Sequence, residues 1–452
     1  MPIAIQEKYP QQASYTVYKV GSTYYAQPSR ESGLTPYSGE DASTVINNTI
    51  ASNRKILLKD TFDITGSSIS VNNINGLWLC GIGASGSILR QIGTVTGSLP
   101  ELIKISTGSH IIISDMLIQG VGDPLNLQQD KQGIRIIAPS SDIWLNRLGF
   151  KTIDGAIIRI EPRVPAPASS PTSNRIFISE ILDNGGNSAG GITFDTVTDA
   201  TLANSHLYTW DATLTIARSI DIRVKNNYLR AQSARAIDVL TQDSTDIMRQ
   251  LLFDSNFIKN GSGYAFDYHG VALGSEANIS EVKIVNNLFE PALIGINFSL
   301  FGKTGSEILI SGNTIKSPTS YGIYLLGNVS GSFKNSHIIG NQIMDGQVNG
   351  IFLQMTGTVG IMENIHIDNN TLLRNGKGGS EQIAISAYGL KNSTINSNII
   401  DDNQAVPTQI IGIEVGTNSS RVSVQNNIIR GTTTSYRAVG SPTNILFAGN
   451  IE

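Results

Sequence analysis

Two aspartates and a histidine in the middle of the chain stand where they could exchange protons or bind a cation. The segments AIDV (236–239) and AFDY (265–268) occupy equivalent places in a repeat, and apolar residues alternate along each. Alternation in a β-strand turns one set of side chains inward and the other outward. Asp238, Asp267 and His269 are therefore predicted to share the outer face, and on neighbouring strands about 4.8 Å apart the two aspartates would lie side by side.

Two carboxylates stacked on neighbouring strands repel each other, so something has to offset the repulsion. Three explanations are open at this point. The pair shares a proton and serves as acid and base, or it binds a hard cation such as Ca²⁺, or it is solvated and paired with nearby arginines. No cofactor is required by the sequence, and Ca²⁺ is left open with Asp238 and Asp267 as its ligands.

Further polar side chains belong to the same outer columns of the repeat. Arg135 and Arg159 occupy earlier positions of the column that contains Asp238, and Asp195 falls in the column of His269. An arginine beside the acids could hold an anionic group, and Arg159 is a candidate for proton transfer. The expected catalytic residues are Asp195, Asp238, Asp267, His269 and Arg159.

Aromatic and amide side chains near these columns are candidates for substrate binding. A histidine, a tyrosine and a tryptophan alternate in HLYTWD (206–211), so all three face one way. Toward the carboxyl end the acidic column becomes amide and then aromatic. Exposed rings stack on sugar rings through dispersion contacts. The expected substrate-binding residues are Arg135, His206, Tyr208, Trp210, Asn297, Tyr324 and Phe352.

These columns depend on a repeat that runs down the chain. An Asn flanked by apolar residues recurs every 23 to 31 residues between KNNYL (225–229) and AGNIE (448–452). A row of Gly-Ile strands, such as GIYL (322–325) and GIFL (350–353), follows in the same register. Each period holds about three short strands separated by Gly, Asn or Ser turns. The aligned asparagines are Asn227, Asn256, Asn287, Asn313, Asn341, Asn370, Asn398, Asn427 and Asn450.

A unit of this size cannot bury its apolar face alone, and stacking the units creates a continuous core. At a tight turn each buried Asn can bond the turn backbone and the equivalent Asn one coil away. From about Lys55 to Glu452 the pattern resembles the right-handed parallel β-helix of the pectate-lyase-like superfamily. The resemblance implies an all-β fold, a single β-helix of about 11 to 13 coils with three short strands in each.

The amino-terminal residues are predicted to cap this solenoid. Residues 15–26 have the pattern of a β-hairpin, and Val45, Ile46, Ile50 and Ala51 fall at helical spacing. Ser38 or Asp41 is the predicted N-cap of this short helix. The predicted division is residues 1–54 for the hairpin and capping helix and 55–452 for the β-helix, with projecting loops near 120–132 and 161–174.

Composition limits the partners. Only 15% of the residues are charged, the formal net charge is −4 and no basic stripe interleaves with aromatic residues, so nucleic acid is not predicted as a partner. The apolar runs are too short to span a membrane. No signal-peptide pattern occurs at the start of the sequence, and the single cysteine, Cys80, cannot form a disulfide within the chain.

Most members of the superfamily act on or bind polysaccharides. The resemblance therefore implies a secreted, extracellular carbohydrate-active enzyme that cleaves a polysaccharide by glycoside hydrolysis or by β-elimination as a lyase. The alternative is a non-enzymatic glycan-binding viral tailspike or cell-surface adhesin, and either protein would be a monomer or a trimer. Replacing Asp238 or Asp267 by Asn is expected to lower turnover without destabilising the fold, because a like-charge pair is relieved.

Overall fold

In the computed structural model, the described residues form β-strands joined by turns, with a single short helix. The chain divides into two compact units, Met1–Thr215 and Ile216–Glu452. No helix within the described residues is long and apolar enough to cross a lipid bilayer. The structure describes residues 12–30, 32–65, 67–92, 101–121, 132–162, 173–233, 235–241, 243, 245–246, 248–270, 277–328, 330–356, 360–378 and 382–451.

The first unit contains, in its described part, a hairpin, one short helix and three repeating rows of strands. Its elements are β1 (Tyr15–Val20), β2 (Thr23–Pro28), β3 (Tyr37–Gly39), α1 (Ala42–Thr49), β4 (Arg54–Leu58), β5 (Thr61–Ile64), β6 (Ile69–Asn72), β7 (Asn75–Cys80), β8 (Ile88–Gln91), β9 (Ile103–Ser106), β10 (Ser109–Gln119), β11 (Ile134–Ile137), β12 (Ser140–Lys151), β13 (Ala156–Glu161), β14 (Ser173–Ser179), β15 (Leu182–Ser188), β16 (Gly190–Asp195), β17 (Val197–Ala203) and β18 (His206–Thr209). The division point lies within β19 (Leu214–Ala217).

The second unit consists of strands throughout its described part. These are β20 (Ile220–Lys225), β21 (Tyr228–Ala231), β22 (Ile237–Thr241), β23 (Met248–Asp254), β24 (Phe257–Asn260), β25 (Tyr264–Gly270), β26 (Ile279–Val285), β27 (Leu288–Glu290), β28 (Ile294–Phe301), β29 (Thr304–Ser311), β30 (Thr314–Lys316), β31 (Ile323–Asn328), β32 (Ser332–Ile339), β33 (Gln342–Met344), β34 (Ile351–Met355), β35 (Met362–Asp368), β36 (Thr371–Leu373), β37 (Ile383–Ala387), β38 (Leu390–Asn396), β39 (Ile399–Asp401), β40 (Ile411–Val415), β41 (Ser420–Gln425), β42 (Ile428–Arg430), β43 (Thr434–Ala438) and β44 (Thr443–Ala448).

Strands three apart in the second unit pair in parallel, so each coil contributes one strand to each of three sheets. One sheet begins β20–β23 and another β21–β24. The third, termed the Gly-Ile sheet, runs β22-β25-β28-β31-β34-β37-β40-β43. In this sheet alternate residues such as Ile237, Val239, Phe266 and Phe298 are fully buried. The predicted all-β coil of three strands with one buried face is confirmed.

The repeated asparagines of the second unit form a hydrogen-bonded ladder. Each side-chain Nδ2 donates to Oδ1 of the Asn one coil on, at 2.9–3.1 Å. The backbone N–H of the same residue donates to that Oδ1 as well, at 2.9–3.0 Å. All members from Asn227 to Asn427 are buried. The prediction of an inward-pointing Asn ladder is confirmed.

The amino-terminal hairpin and helix lie where the sequence predicts them. Asp41 is the N-cap, and its carboxylate accepts from the backbone N–H groups of Ser43 and Thr44. Ser38 instead lies in β3, and the helix ends before Ile50, so this apolar residue is not part of its buried face. The predicted loops near 120–132 and 161–174 fall largely on residues 122–131 and 163–172, which lie outside the described residues.

Replacing Asn370 by Leu is expected to lower the free energy of unfolding by about 3 kcal/mol. The carboxamide accepts from Asn341 and donates to Ile338 O at 2.8 Å and to Asn398 Oδ1 at 3.0 Å, so the substitution leaves buried groups without partners. Urea unfolding measures the change, with the exposed Asn403→Leu as the matched control. Equal loss in both variants would contradict a special role for the ladder.

A surface ion cluster should make stability depend on pH. Asp345 accepts hydrogen bonds from Arg374 at 2.9 Å and Lys377 at 2.5 Å. These contacts lower the pKa of Asp345 to about 2, and the hydrogen bond from Arg374 makes the largest contribution. Because the folded pKa is depressed, the stabilisation is complete above the unfolded value near 4 and is lost as the pH falls through about 2.

Asp345→Asn is therefore expected to lower the free energy of unfolding by up to about 2 kcal/mol at pH 7. The difference from the unsubstituted protein should shrink toward zero between pH 4 and pH 2 in denaturant titrations. Asp254→Asn is the control, since this residue lies outside the ion cluster and its carboxylate forms no salt bridge among the described residues. A difference that does not change with pH would rule out the ion cluster as its cause.

Candidate functional site

An aspartate pair and a histidine meet on two neighbouring strands of the Gly-Ile sheet in the second unit. Strands β22 and β25 pair so that Asp238 lies directly opposite Asp267. His269 follows two residues later on the same face of β25. Because Phe266 and Tyr268 are fully buried in the core, the two acids and the histidine belong to the outer side of the sheet. The predicted register of these three residues is therefore the one observed.

The imidazole of His269 lies between the two carboxylates. Its Nδ1 is 3.4 Å from Asp238 Oδ1 and 3.3 Å from Asp267 Oδ2. One possible ligand atom from each of the three residues lies within 4.8 Å of the others. The three groups are thus close enough for the charge or proton state of one to determine that of the next.

Arg235 is a member of this cluster that the sequence analysis missed. Its Nε donates to Asp267 Oδ2 and lies 3.9 Å from Asp238 Oδ1. The Tyr264 ring centroid lies 5.8 Å from its guanidinium carbon. The repeat predicts outward-facing positions only within strands, and Arg235 precedes β22. An arginine three residues before an outward aspartate was the available signal.

Asp267 is far less accessible than the sequence analysis expected. Its side chain is only 2% exposed although it belongs to the outer column, because Arg235 covers it and Asn297 Nδ2 donates to its Oδ1 at 2.5 Å. The side chain of Asp238 is 14% exposed and that of His269 is 23% exposed. Asp238 and His269 are therefore partly accessible, whereas Asp267 lies beneath them.

Burial and charge set the protonation of the cluster. Burial lowers the pKa of His269 below its ordinary value of 6.5, and Arg235 adds to this while Asp267 opposes it. The imidazole is consequently neutral at pH 7. Burial also works against the charge of Arg235, but the carboxylates of Asp267 and Asp238 together outweigh it and raise the pKa of the guanidinium.

Among the described residues, the donor set of this cluster does not fit Ca²⁺. This ion takes six to eight oxygen ligands, and the cluster offers two carboxylates and an imidazole nitrogen. One of those carboxylates is already occupied by Arg235 and Asn297. A divalent cation would have to bind beside a guanidinium, which repels it. We therefore assign no step of the chemistry to a metal.

The two predicted arginines of the first unit belong to an ion-pair ladder on its own strands. Arg135 donates to Glu161 Oε1 at 2.5 Å and lies 3.4 Å from Glu101 Oε2. Arg159 Nε lies 2.6 Å from Glu161 Oε2. Both guanidiniums are thus neutralised by glutamates of their own unit, which the sequence analysis did not predict. The assignments of Arg159 to catalysis and of Arg135 to substrate binding stay predictions.

The remaining candidates of the first unit lie on β16 and around β18. Asp195 is the last residue of β16, and Thr196 Oγ1 donates to its carboxylate at 2.9 Å. Leu207 and Thr209 are buried within β18, so His206 and Tyr208 lie on the opposite face of the strand, and Trp210 follows its last residue. Burial lowers the pKa of His206 below its ordinary value of 6.5. The assignment of His206, Tyr208 and Trp210 to substrate binding stays a prediction.

The column beyond Asp267 runs in register through Asn297, Tyr324 and Phe352. The Tyr324 and Phe352 rings are stacked, with centroids 5.4 Å apart and planes at 15°. Tyr321 packs on both, and Phe352 is only 6% exposed. The prediction that Phe352 offers an exposed ring to a sugar is therefore wrong, because neighbouring aromatic rings cover it.

The two aspartates should respond differently to neutralisation. Asp267→Asn is expected to lower the free energy of unfolding by about 2 kcal/mol, because it deprives a half-buried arginine of its ion-pair partner. Asp238→Asn should change it by less than about 0.5 kcal/mol. This corrects the expectation that relieving the like-charge pair protects both variants. Urea unfolding at pH 7 measures both values, and equal effects would contradict the burial argument.

Comparison with known proteins supplies the handedness of the coil. Residues 269–451 match the family model described as a right handed beta helix region. No curated protein matches the chain by sequence. Among solved structures, the A-module of mannuronan C-5 epimerase AlgE4 from Azotobacter vinelandii is 14% identical with a TM-score of 0.51, over 86% of this chain and 90% of that one.

Two phage proteins of known structure also resemble this chain in fold. A tailspike protein mutant of E. coli bacteriophage HK620, in complex with a pentasaccharide, is 12% identical with a TM-score of 0.53, over 85% of this chain and 71% of that one. Pre-mature gene product 12 of bacteriophage phi29 is 14% identical with a TM-score of 0.50, over 89% of this chain and 55% of that one. Identities this low show the fold alone, and that fold is the right-handed parallel β-helix.

Proposed function

We propose that this protein binds a polysaccharide along the outer face of the Gly-Ile sheet and cleaves a glycosidic bond beside Asp238 and His269. The observation that carries the proposal is the contact of one imidazole with two carboxylates of unequal accessibility. A buried acid beneath an accessible acid and a neutral histidine is an arrangement suited to proton transfer. The fold is compatible with a polysaccharide, since the similar structures include a mannuronan epimerase and a tailspike with a bound pentasaccharide.

The three residues have separate roles in this proposal. Asp267, held by Arg235 and Asn297, positions the imidazole of His269 and does not touch the substrate. Asp238 and His269 touch it and exchange protons with it. General acid–base catalysis of this kind contributes about 10²- to 10⁴-fold in rate.

Hydrolysis fits the cluster better than β-elimination. When the Asp238–His269 pair holds one proton, it can give that proton to the departing glycosidic oxygen and regain one from the attacking water. β-Elimination needs a cation against a uronate carboxylate, and the charge of Arg235 is already balanced by Asp267. A retaining mechanism would need one of the two acids as a nucleophile, and the burial of Asp267 excludes it from that role.

Glycan binding without cleavage is the second candidate. It is favoured by the hydrogen bonds that already satisfy Asp267, because such a network can be stable without doing chemistry. In that case the protein is a tailspike or adhesin that holds a glycan. Either function places it outside the cell or on the surface of a cell or virion, as a monomer or a trimer.

Product analysis separates these functions. The protein is incubated with a panel of polysaccharides, and reducing ends and the absorbance of unsaturated products are measured. Reducing ends without unsaturated products are the expected result and indicate hydrolysis. Both signals indicate elimination, and neither signal, with binding retained, indicates the second candidate. Activity should persist in EDTA, since the site does not offer the ligands of Ca²⁺.

Asp238→Asn and His269→Gln are each expected to lower the cleavage rate about 100-fold or more. His337→Gln, on another sheet of the same unit, is the matched control and should retain full activity. Burial lowers the pKa of His269 below its ordinary value of 6.5, so the protonated imidazole becomes more populated as the pH falls. The hydrolysis rate should therefore rise as the pH falls below 6.5, whereas a rate that falls would contradict the assigned proton donor.

A further inference from the structure

A partly exposed tyrosine lies on the same face as the candidate site, four strands away. Tyr388 follows β37, and its backbone N–H donates to Leu353 O at 2.9 Å, which continues the strand register. The pairing of Ser299 with Leu326, and of Leu326 with Gln354, connects its column to that of His269. Four strand spacings separate Tyr388 from His269, a distance of about 19 Å.

The Tyr388 ring is fixed on three sides. Its hydroxyl donates to Glu414 Oε1. The ring lies against the backbone of Gly416, where an added Cβ would come within 2.0 Å of Cδ1. The Phe352 ring packs at 75° to it with centroids 6.2 Å apart. The tyrosine is thus held in one orientation before any ligand arrives.

The group that holds the hydroxyl is itself a buried charge. Glu414 is fully buried, accepts from Arg437 Nε at 2.5 Å and from Ser386 Oγ at 3.3 Å. A buried carboxylate costs free energy even when it is paired. An apolar residue of similar size at position 414 would pack against its neighbours without that cost. It could not, however, accept a hydrogen bond from the Tyr388 hydroxyl. Fixing a surface ring in advance lowers the entropy lost on binding a ligand.

The charge of this face limits the ligand. Across the described strands of the Gly-Ile sheet in the second unit, the ionised residues are Asp238, Asp267, Glu414 and Arg437. Arg235 adds one cation beside β22. By formal count, these three acidic residues exceed the two arginines by one, so the described face has an excess of acidic groups. A polymer of uronates carries a negative charge on each sugar and is repelled by such a face.

We propose that Tyr388 is the stacking platform of a distal sugar-binding subsite and that the glycan bound on this face is uncharged. The placement of the glycan rests on the proposed function, since one chain would extend from the cleavage site to Tyr388. Binding to Tyr388 itself can be measured without cleavage. The site takes a neutral sugar ring, which contacts the aromatic face through its C–H groups.

Affinity electrophoresis in native gels tests the proposal. Gels contain dextran, galactomannan or β-1,3-glucan as neutral polymers, and polymannuronate or polygalacturonate as acidic ones. At least one neutral polymer should retard the protein more strongly than either acidic polymer. Tyr388→Ala should weaken that binding about tenfold, while Tyr388→Phe, which keeps the ring, should stay within about threefold. Tyr228→Ala, on another sheet of the same unit, is the matched control.

Three results would overturn the inference: tighter binding of an acidic polymer, no binding of any polymer, or unchanged binding in Tyr388→Ala. Thermal unfolding of each variant shows whether a loss of binding reflects a loss of fold. If the Ala variant is unstable, Tyr388→Leu, which removes the ring but keeps an apolar side chain, should show the same loss of binding. Binding through Tyr388 without released products would refute the proposed cleavage and leave this inference intact. Cleavage of a neutral polymer with equal affinity in Tyr388→Ala would do the reverse.

Discussion

The second unit depends on one constraint, the parallel stacking of coils in constant register. A side chain in one coil always meets the residue at the same position in the next coil, about 4.8 Å away. The Asn ladder uses this rule to satisfy buried polar groups, because an amide is both donor and acceptor and can bond its own copy. Asn341, Asn370 and Asn398 show the pattern, each bonded to the next through both its backbone and its side chain.

The same rule makes charges difficult to place. An ionised residue stacks on its counterpart in the next coil, so equal charges meet unless another element intervenes. In the second unit Arg235 intervenes between Asp238 and Asp267 from outside the strand, and Arg437 neutralises Glu414 from the next strand. These compensating cations explain why acids can be buried on the outer face of a sheet.

The compensating cations also give residues that are equivalent in the repeat unequal environments. Two aspartates that are equivalent in the repeat become different groups, since Arg235 and Asn297 cover one of them and leave the other beside the solvent. A neutral histidine between them then has one fixed partner and one reachable partner. At the far end of the sheet, burial of a carboxylate orients a tyrosine rather than a histidine. At both ends of the sheet a buried acid contacts a partly exposed side chain: Asp267 contacts His269, and Glu414 accepts a hydrogen bond from Tyr388.

The sequence by itself determined the coil, its three strands, the inward asparagines and the stacking of Asp238 on Asp267. Each of these follows from periodicity, and a repeat whose period is set by strand alternation can be read from residue types alone. The capping helix was also predictable, although its end was not, because apolar spacing continues past the last helical turn at Thr49.

Tertiary structure decided which of the stacked residues a ligand can reach. Arg235 lies outside the repeat, and the depth of Asp267 depends on that side chain folding back over it. Phe352 was expected to be exposed, but neighbouring rings cover it, and Tyr388 went unnoticed because its orientation depends on Gly416 and Glu414 from another coil. Periodicity specifies position along a sheet, whereas exposure depends on contacts between side chains that the repeat does not encode.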